Sequence, residues 1–159
     1  MKDTDMEQTV RSVIRRMTAS SVMNLAFARN LIREVEKKAQ EMGVKAVVAV
    51  SDAAGRPGAI ECMDGAYIGS FDVALNKTFT SVAFQMSTAE LGKLASPGGS
   101  LYGIQNTNDG KIVIFGGGEP LYVDDVLIGA IGVSGGTAEQ DTALGAYGKN
   151  IAKEVISWK

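Results

Sequence analysis

Acidic side chains are the first candidates for chemistry in this chain of 159 residues. Asp52, Asp64, Glu119 and Asp141 could supply the paired carboxylates of acid–base catalysis or the oxygen ligands of a hard cation. Their spacing matches no metal-binding or catalytic motif. The chain contains no His, which excludes His-based catalytic triads and His-ligated metal or haem sites. Any carboxylate site therefore depends on the fold to bring these groups together.

Asp64 and Lys77 each allow two interpretations. Asp64 lies between a predicted strand and the predicted central helix, where it either caps the helix or presents its carboxylate to a ligand. Lys77, near the middle of that helix, either points into a cleft and pairs with an acidic substrate or lies in solvent. With one of them as acid or base, the protein would be an enzyme acting on a small hydroxyacid or aldehyde.

Sulfur and phenol groups are the candidates for metal ligands. Cys62 is either a small buried hydrophobic residue or, beside Met63, a soft ligand to iron or another metal. A phenol can ligate haem iron or pack in the core or at an interface. The chain has four of them, at Tyr67, Tyr102, Tyr122 and Tyr147.

Glycine is concentrated in two stretches, which indicates backbone surfaces rather than side-chain machinery. The first, Gly116-Gly117-Gly118-Glu119-Pro120, has neither a Walker continuation nor the dinucleotide fingerprint. The second ends in Ser134-Gly135-Gly136, at the start of the last predicted helix. The amides there either bind a carboxylate or phosphate or are satisfied by Thr137 and Gln140. These stretches predict a pocket lined by peptide groups.

Composition limits the class of protein. The formal net charge is −2, with 45% hydrophobic and 21% charged residues, which is ordinary for a globular chain. We therefore expect no attraction for nucleic acid or for an anionic membrane. The length suits a single domain. A lone Cys, the lack of a signal-peptide pattern and the lack of an apolar run of about 18 residues favour a cytoplasmic protein.

Helical periodicity defines the elements that surround these residues. Residues 6–23 carry apolar side chains on one face and arginines on the other, which predicts an amphipathic helix suited to interactions. Asn24 caps a second predicted helix that ends at Gly43. Three further helices are predicted over residues 67–84, over residues 87–95 and from the capping box at Thr137 to Trp158.

Apolar runs bounded by turn residues predict the strands. A hairpin is expected over residues 44–50 and 59–63, followed later by strands over residues 111–115, 120–123 and 126–133. Connections of hairpin length and the lack of βαβ alternation indicate an antiparallel sheet of about five strands. Helices packed on that sheet give a layered α/β domain of the α+β type.

Five motifs occur in a fixed order along the chain. They are Val48-Ala49-Val50-Ser51-Asp52 with Gly55, Met63-Asp64-Gly65-Ala66, Lys77-Thr78-Phe79-Thr80, Gly116-Gly117-Gly118-Glu119-Pro120 and Ile128-Gly129-Ala130-Ile131-Gly132-Val133-Ser134-Gly135. Together they resemble the GlcG/HbpS family, which includes the C-terminal domain of PduO-type cobalamin adenosyltransferases. The resemblance covers residues 24–159 and leaves residues 1–23 as an N-terminal helical extension. No adenosyltransferase domain with an ATP-binding motif is recognised.

The resemblance implies a profilin-like or PAS-like fold with a five-stranded sheet, and symmetric homo-oligomers. It also implies an accessory protein that binds a small ligand, haem or a corrinoid, in the context of glycolate or of diol and glycerol metabolism. Without His, the axial ligand of a haem would be Tyr, Met, Cys, a weaker oxygen donor or absent. A purely structural oligomer, whose N-terminal helix packs on a neighbour, is the alternative.

The ligand is expected at the glycine-rich strand ends and the turn before the last helix, together with the neighbouring motifs. The residues expected to bind it are Met63, Asp64, Gly65, Lys77, Gly117, Gly118, Pro120, Ser134 and Gly135.

Overall fold

Four antiparallel strands form the sheet, in the order β2-β1-β4-β3. The computed structural model describes residues 2–156. The strands are β1 (Val47–Asp52), β2 (Pro57–Cys62), β3 (Gly118–Val123) and β4 (Val126–Ser134). The two hairpins, β1–β2 and β3–β4, are joined in the centre of the sheet, where β1 pairs with β4 from Val47 opposite Ser134 to Asp52 opposite Gly129. The predicted antiparallel sheet is confirmed.

In the part of the chain that the structure describes, five α-helices lie around the sheet. They are α1 (Lys2–Val22), α2 (Leu25–Glu41), α3 (Ser70–Phe84), α4 (Thr88–Leu94) and α5 (Ala138–Ile156). The predicted cap of α2 is confirmed, because the Asn24 side chain accepts a hydrogen bond of 2.9 Å from the amide of Phe27. The prediction that the last helix reaches Trp158 concerns a residue outside the described range.

Alternation along β1 divides the core into two layers. Val48 and Val50 belong to the main hydrophobic cluster, which lies between the sheet and the helices α2 and α5. Val47 and Ala49 face the opposite side and pack near Ala74 of α3. Every residue of β1 before Asp52 is buried, because both faces of this central strand are covered by helices. The fold is therefore an α+β arrangement of three layers.

Glycine in the central strands lets α3 approach the sheet closely. A Cβ atom at Gly132 of β4 would overlap the carbonyl oxygen of Ala74 and lie 3.0 Å from the Thr78 side chain. At Gly118 of β3 a Cβ atom would lie 2.8 Å from the carbonyl oxygen of Lys77. The glycine-rich surface predicted to line a pocket is covered here by a helix, which corrects that part of the prediction.

The sheet has four strands rather than five, because residues 111–115 do not join it. The amide of Val113 donates to the Thr80 hydroxyl at 3.0 Å, and the same hydroxyl contacts the carbonyl oxygen of Lys111 at 3.3 Å. Close to this segment, a Cβ atom at Gly92 of α4 would overlap the carbonyl oxygen of Ile114. Backbone groups of this segment therefore find hydrogen-bond partners on helix α3 instead of on a neighbouring strand. The finer profilin-like or PAS-like assignment stays a prediction.

Candidate functional site

Two adjoining clefts open beside the segment that joins α2 to β1. The larger, of about 530 Å³, is lined among others by Glu36, Cys62, Met63 and Asp64. The smaller, of about 280 Å³, is lined among others by Gly65, Tyr67, Gly135 and Gly136. Residues 43–45 line both clefts, so the two meet at this segment. The fold thereby gathers four of the predicted binding residues, namely Met63, Asp64, Gly65 and Gly135.

Lys45 supplies a positive charge where the clefts meet. Its side chain is exposed and lies beside Gly65, where an added Cβ atom would be 3.0 Å from the Lys45 ammonium nitrogen. Sequence reasoning missed this residue. A single lysine shortly after a helix C-terminus belongs to no motif. Its position becomes informative only in the folded chain, where residues 63–65 and 135–136 line the clefts beside it.

The wall of the smaller cleft requires a glycine at position 135, because the neighbouring backbone leaves no room for a side chain. Its φ is 153°, and a Cβ atom would overlap the carbonyl oxygen of Lys45 and lie 2.8 Å from the Cα atom of Ala46. The end of β4 therefore passes directly against the backbone that carries Lys45. This contact fixes the position of Lys45 relative to the start of α5.

Two acidic residues, Glu36 and Asp64, line the larger cleft. Asp64 is exposed there and does not cap α3, which begins at Ser70 after Gly69 without a side-chain cap, so the capping alternative is wrong. Glu36 lies on the same cleft. Burial raises the pKa of the Glu36 carboxyl, and the negative charge of Glu61 raises it further, although Arg33 partly opposes this. The larger cleft therefore carries two carboxyl groups, and an ammonium group lies where the two clefts meet.

Lys77 lies in the interior, which corrects both sequence-based alternatives for it. Its side chain is fully buried, and its ammonium nitrogen donates to the carbonyl oxygen of Val133 at 2.6 Å and to the Asp141 carboxylate at 2.9 Å. The ring of exposed Phe115 lies 5.0 Å from the same nitrogen. Burial lowers the pKa of Lys77, and Asp141 opposes this shift. Lys77 is thus neither in solvent nor in a cleft with Asp64.

The start of α5 satisfies its own amides. Gly136 donates its amide hydrogen to the second oxygen of Asp141 at 2.9 Å. Thr137 donates to the Gln140 side chain at 2.9 Å, and the Gln140 amide donates to the Thr137 hydroxyl at 3.2 Å, which confirms the predicted capping box. These three amides therefore have partners within the protein, as in the alternative that Thr137 and Gln140 satisfy them, and Lys45 is the cationic group beside the turn.

The remaining predicted binding residues are buried away from the two clefts. Gly118 donates its amide to the Thr88 hydroxyl at 2.9 Å, and Ser134 bonds to the Ser70 hydroxyl at 3.2 Å. Pro120 lies opposite Ala130 within the β3–β4 pair. A Cβ atom at Gly117 would lie 2.8 Å from the Lys77 ammonium nitrogen. Gly117, Gly118, Pro120, Ser134 and Lys77 therefore belong to the packed interior beneath the site.

The four candidate carboxylates do not form a pair. Asp52 lies near Arg56, at 3.6 Å, and Glu119 pairs with Lys149 at 2.9 Å. Asp141 is taken by Lys77. Within residues 2–156, no group of three acidic, Cys or His side chains is close enough to hold a metal ion. In the same part of the chain, no helix has both the length and the apolar character needed to cross a membrane.

Side chains of the types that ligate haem iron do border the clefts. Cys62 has an exposed free thiol and lines the larger cleft, as does Met63, whose sulfur accepts a hydrogen bond of 3.3 Å from the amide of Ala46. Tyr67 lines the smaller cleft and is largely exposed. Thiolate and phenolate both ligate iron in haem proteins without a proximal His. The donor set therefore fits a haem in chemical type, although the chain has no His.

Comparison with known families gives the family of this chain. The model of the family described as haem degrading protein HbpS-like matches residues 23–149, so the chain belongs to the HbpS-like family. The chain is 44% identical over 124 residues to a 15.0 kDa protein of the dhaT–dhaS intergenic region of Citrobacter freundii, covering 78% of this chain and 87% of that protein.

A longer relative contains this domain as a part. The chain is 40% identical over 111 residues to the corrinoid adenosyltransferase PduO of Salmonella typhimurium, which is 70% of this chain and 33% of PduO. The chain therefore spans about a third of that enzyme's length.

Two solved structures share the fold. Klebsiella pneumoniae ORFY superposes with a TM-score of 0.80 and 41% identity, covering 82% of this chain and 90% of that one. PduOC, solved as a haem complex, superposes with a TM-score of 0.74 and 37% identity, covering 77% of this chain and 88% of that one.

Proposed function

We propose that this protein is a binding module for a tetrapyrrole that carries carboxylate groups, with haem as the first candidate. The observation that carries the proposal is the meeting of two clefts at Lys45, where a thiol, a thioether, a phenol and a single ammonium group border one space. The larger cleft, about 530 Å³, lies within the range of about 300–1,000 Å³ that small-molecule sites occupy. The haem complex of PduOC supports the same ligand class.

The charges of the site give the ligand an orientation. A carboxylate of the ligand pairs with the Lys45 ammonium group, beside Gly65, which has no side chain to cover that group. The carboxyl groups of Glu36 and Asp64 on the larger cleft repel a ligand carboxylate, so Lys45 is the one charged group there that attracts it. The apolar part of the macrocycle lies against Met63 and Tyr67. A bound haem would supply a redox-active iron, and Cys62 is the residue we propose as its axial ligand because its thiol is exposed on the cleft.

The test is a titration of the purified chain with haem and with cobalamin, followed by absorption spectra and native mass spectrometry. Lys45→Met is expected to weaken haem binding about tenfold, which corresponds to about 1.4 kcal/mol. Lys93→Met, at an exposed lysine of α4 outside both clefts, is the matched control and should bind haem like the parent chain. Equal affinities for all three proteins would refute the proposed orientation.

Substitution of Cys62 tests the axial ligand separately. Cys62→Ser is expected to change the position of the main haem absorption band, whereas Tyr67→Phe is expected to leave it in place. A band that moves only in Tyr67→Phe would assign the iron to the phenol instead. If haem binding is saturable and depends on Lys45, but the absorption band is unchanged in both Cys62→Ser and Tyr67→Phe, then neither residue ligates the iron. The haem would then be held through its carboxylates.

A corrinoid is the second ligand that the same titration covers. PduO acts on corrinoids, and the chain is similar to part of that enzyme. Because the side chains of the corrin ring end in amides rather than carboxylates, and the one anionic group of cobalamin is the phosphodiester of its nucleotide loop, its binding should depend less on the charge of Lys45 than haem binding does. Cobalamin bound equally by the parent chain and Lys45→Met, with no binding of haem, would favour the corrinoid. Binding of neither would contradict the tetrapyrrole proposal.

The wider role follows the same proposal. We propose an accessory protein of diol or glycerol metabolism, or of glycolate metabolism, that works in the cytoplasm as a homo-oligomer. The location of the Citrobacter freundii relative between dhaT and dhaS supports the diol and glycerol context. Within the described residues Asp64 and Lys77 do not meet, so the geometry offers no support for acid–base catalysis by these two.

A further inference from the structure

Helix α1 presents an apolar stripe to solvent. Its apolar side chains, from 49% to 70% exposed, are Met6, Val10, Val13, Ile14 and Met17. The helix contacts the rest of the fold near its C-terminal end, where Ala19 is buried in the main core and Val22 packs against it. Five exposed apolar residues on one face of a helix indicate a surface that another helix or groove covers.

The spacing of this stripe is that of a coiled-coil seam. Met6, Val10, Val13 and Met17 are separated by four, three and four residues, which is the alternation of the a and d positions of a heptad. In an antiparallel pair of two such helices, Val10 packs against Val13 of the second copy. Met6 then packs against Met17 of the second copy. The four seam residues are then all paired, so the seam is complementary to itself, while Ile14 beside it borders a cleft towards Val123.

The charges of α1 favour the antiparallel direction. Asp5 and Glu7 lie in its first half, and Arg11, Arg15 and Arg16 lie in its second half, all exposed. Antiparallel pairing brings the acidic half of one copy beside the basic half of the other. Parallel pairing would place the arginines beside one another. The helix dipoles also oppose each other favourably in the antiparallel arrangement.

We propose that α1 is a self-association helix, which pairs in antiparallel fashion with α1 of a second copy of this chain. The partner of the exposed stripe is thus a second copy, because the stripe complements itself in both shape and charge. The seam from Met6 to Met17 covers less than two heptads, so the pairing is reversible and depends on protein concentration. The inference rests on α1 and is independent of the proposed ligand site.

Disulfide trapping tests the direction of pairing. The single native cysteine is first removed as Cys62→Ser, and Met6→Cys and Met17→Cys are then made as separate full-length chains of different mass. When the two are mixed and oxidised, we expect the disulfide between residue 6 and residue 17 to exceed the two like-with-like disulfides about tenfold. Predominant disulfides between two copies of residue 6 would show parallel pairing and overturn the proposal.

Sedimentation velocity over a range of protein concentrations tests whether the stripe drives the association. Val13→Asp, in the centre of the seam, is expected to shift the association at least tenfold towards higher concentration. Ser12→Asp, which adds the same charge at an exposed position outside the apolar stripe, is the matched control and should associate like the parent chain. Assembly that is identical in all three, together with no preferred disulfide, would overturn the proposal and leave the stripe to a different partner.

Discussion

The buried ion pair between Lys77 and Asp141 joins three elements at one point. The ammonium group of Lys77, in α3, donates to the carbonyl oxygen of Val133 near the end of β4 and to the carboxylate of Asp141 in α5. The other carboxylate oxygen of Asp141 holds the amide of Gly136, on the wall of the smaller cleft. A residue that sequence reasoning assigned to ligand binding therefore acts beneath the site, as a support for its wall.

Removing both members of this pair should cost less than the sum of the costs of removing each one. Lys77→Met leaves a buried carboxylate and Asp141→Asn leaves a buried ammonium group, so each is expected to destabilise the fold by about 3–5 kcal/mol. The Asn side chain can still accept the Gly136 hydrogen bond. The double variant should lose clearly less than the sum of the two, and denaturant unfolding of all four proteins measures this coupling. Additive losses would show that the two groups act separately.

The stability of the parent chain relative to Lys77→Met should depend on pH with a defined sign. Because burial lowers the pKa of Lys77 in the folded state, the unfolded chain binds more protons between that lowered pKa and the usual value of 10.5. The contribution of Lys77 to the free energy of unfolding therefore rises with pH in this window. The stability of the parent chain relative to Lys77→Met should increase as the pH is raised towards 10.5. A difference that stays flat would place the folded pKa of Lys77 at its ordinary value.

At the scale of elements, residues 111–115 show how a helix can satisfy a segment that has the pattern of a strand. The Thr80 hydroxyl accepts the amide of Val113 and donates to the carbonyl of Asn76. Thr80→Val keeps the shape of the side chain but leaves that buried amide without its partner. We expect a loss of about 1–3 kcal/mol in the free energy of unfolding.

Thr78→Val is the control for this prediction. Thr78 lies in the same helix, is fully buried and bonds only to the helix carbonyl of Leu75, so its hydroxyl serves no other segment. Its replacement should cost about 1 kcal/mol or less. Equal losses at the two positions would mean that the Thr80 bond does not hold residues 111–115.

The comparison of these elements with the sequence shows where local patterns suffice. The caps at Asn24 and Thr137 and the two hairpins were predicted because their signals lie within a few neighbouring residues. Residues 111–115 were wrongly predicted as a strand because their partner is a hydroxyl more than thirty positions away. Lys45 was missed and Lys77 was misjudged for the same reason, since only the folded chain shows what surrounds each ammonium group.

At the scale of the whole molecule, α1 and the layered domain meet over a short contact. The family model begins at residue 23, and the sequence places the domain boundary after residue 23 as well. In the structure, however, Ala19 is buried in the core, and a Cβ atom at Gly129 of β4 would lie 2.7 Å from the methyl group of Met23. The end of α1 therefore covers β4, while its first four turns carry the exposed stripe.

Two truncations separate these roles. Removal of residues 1–17 takes away the stripe but not the contact with β4, so the free energy of unfolding should change by less than about 0.5 kcal/mol. Removal of residues 1–23 also uncovers β4 and should cost about 1–2 kcal/mol, as expected for the loss of Ala19 and Met23 from the core. Thermal and denaturant unfolding of both chains measures this difference.

Haem binding should survive the shorter truncation unchanged, because neither cleft at Lys45 includes a residue of α1. A large loss of stability from the shorter truncation would instead make the whole of α1 part of the domain, and the exposed stripe would then need another explanation.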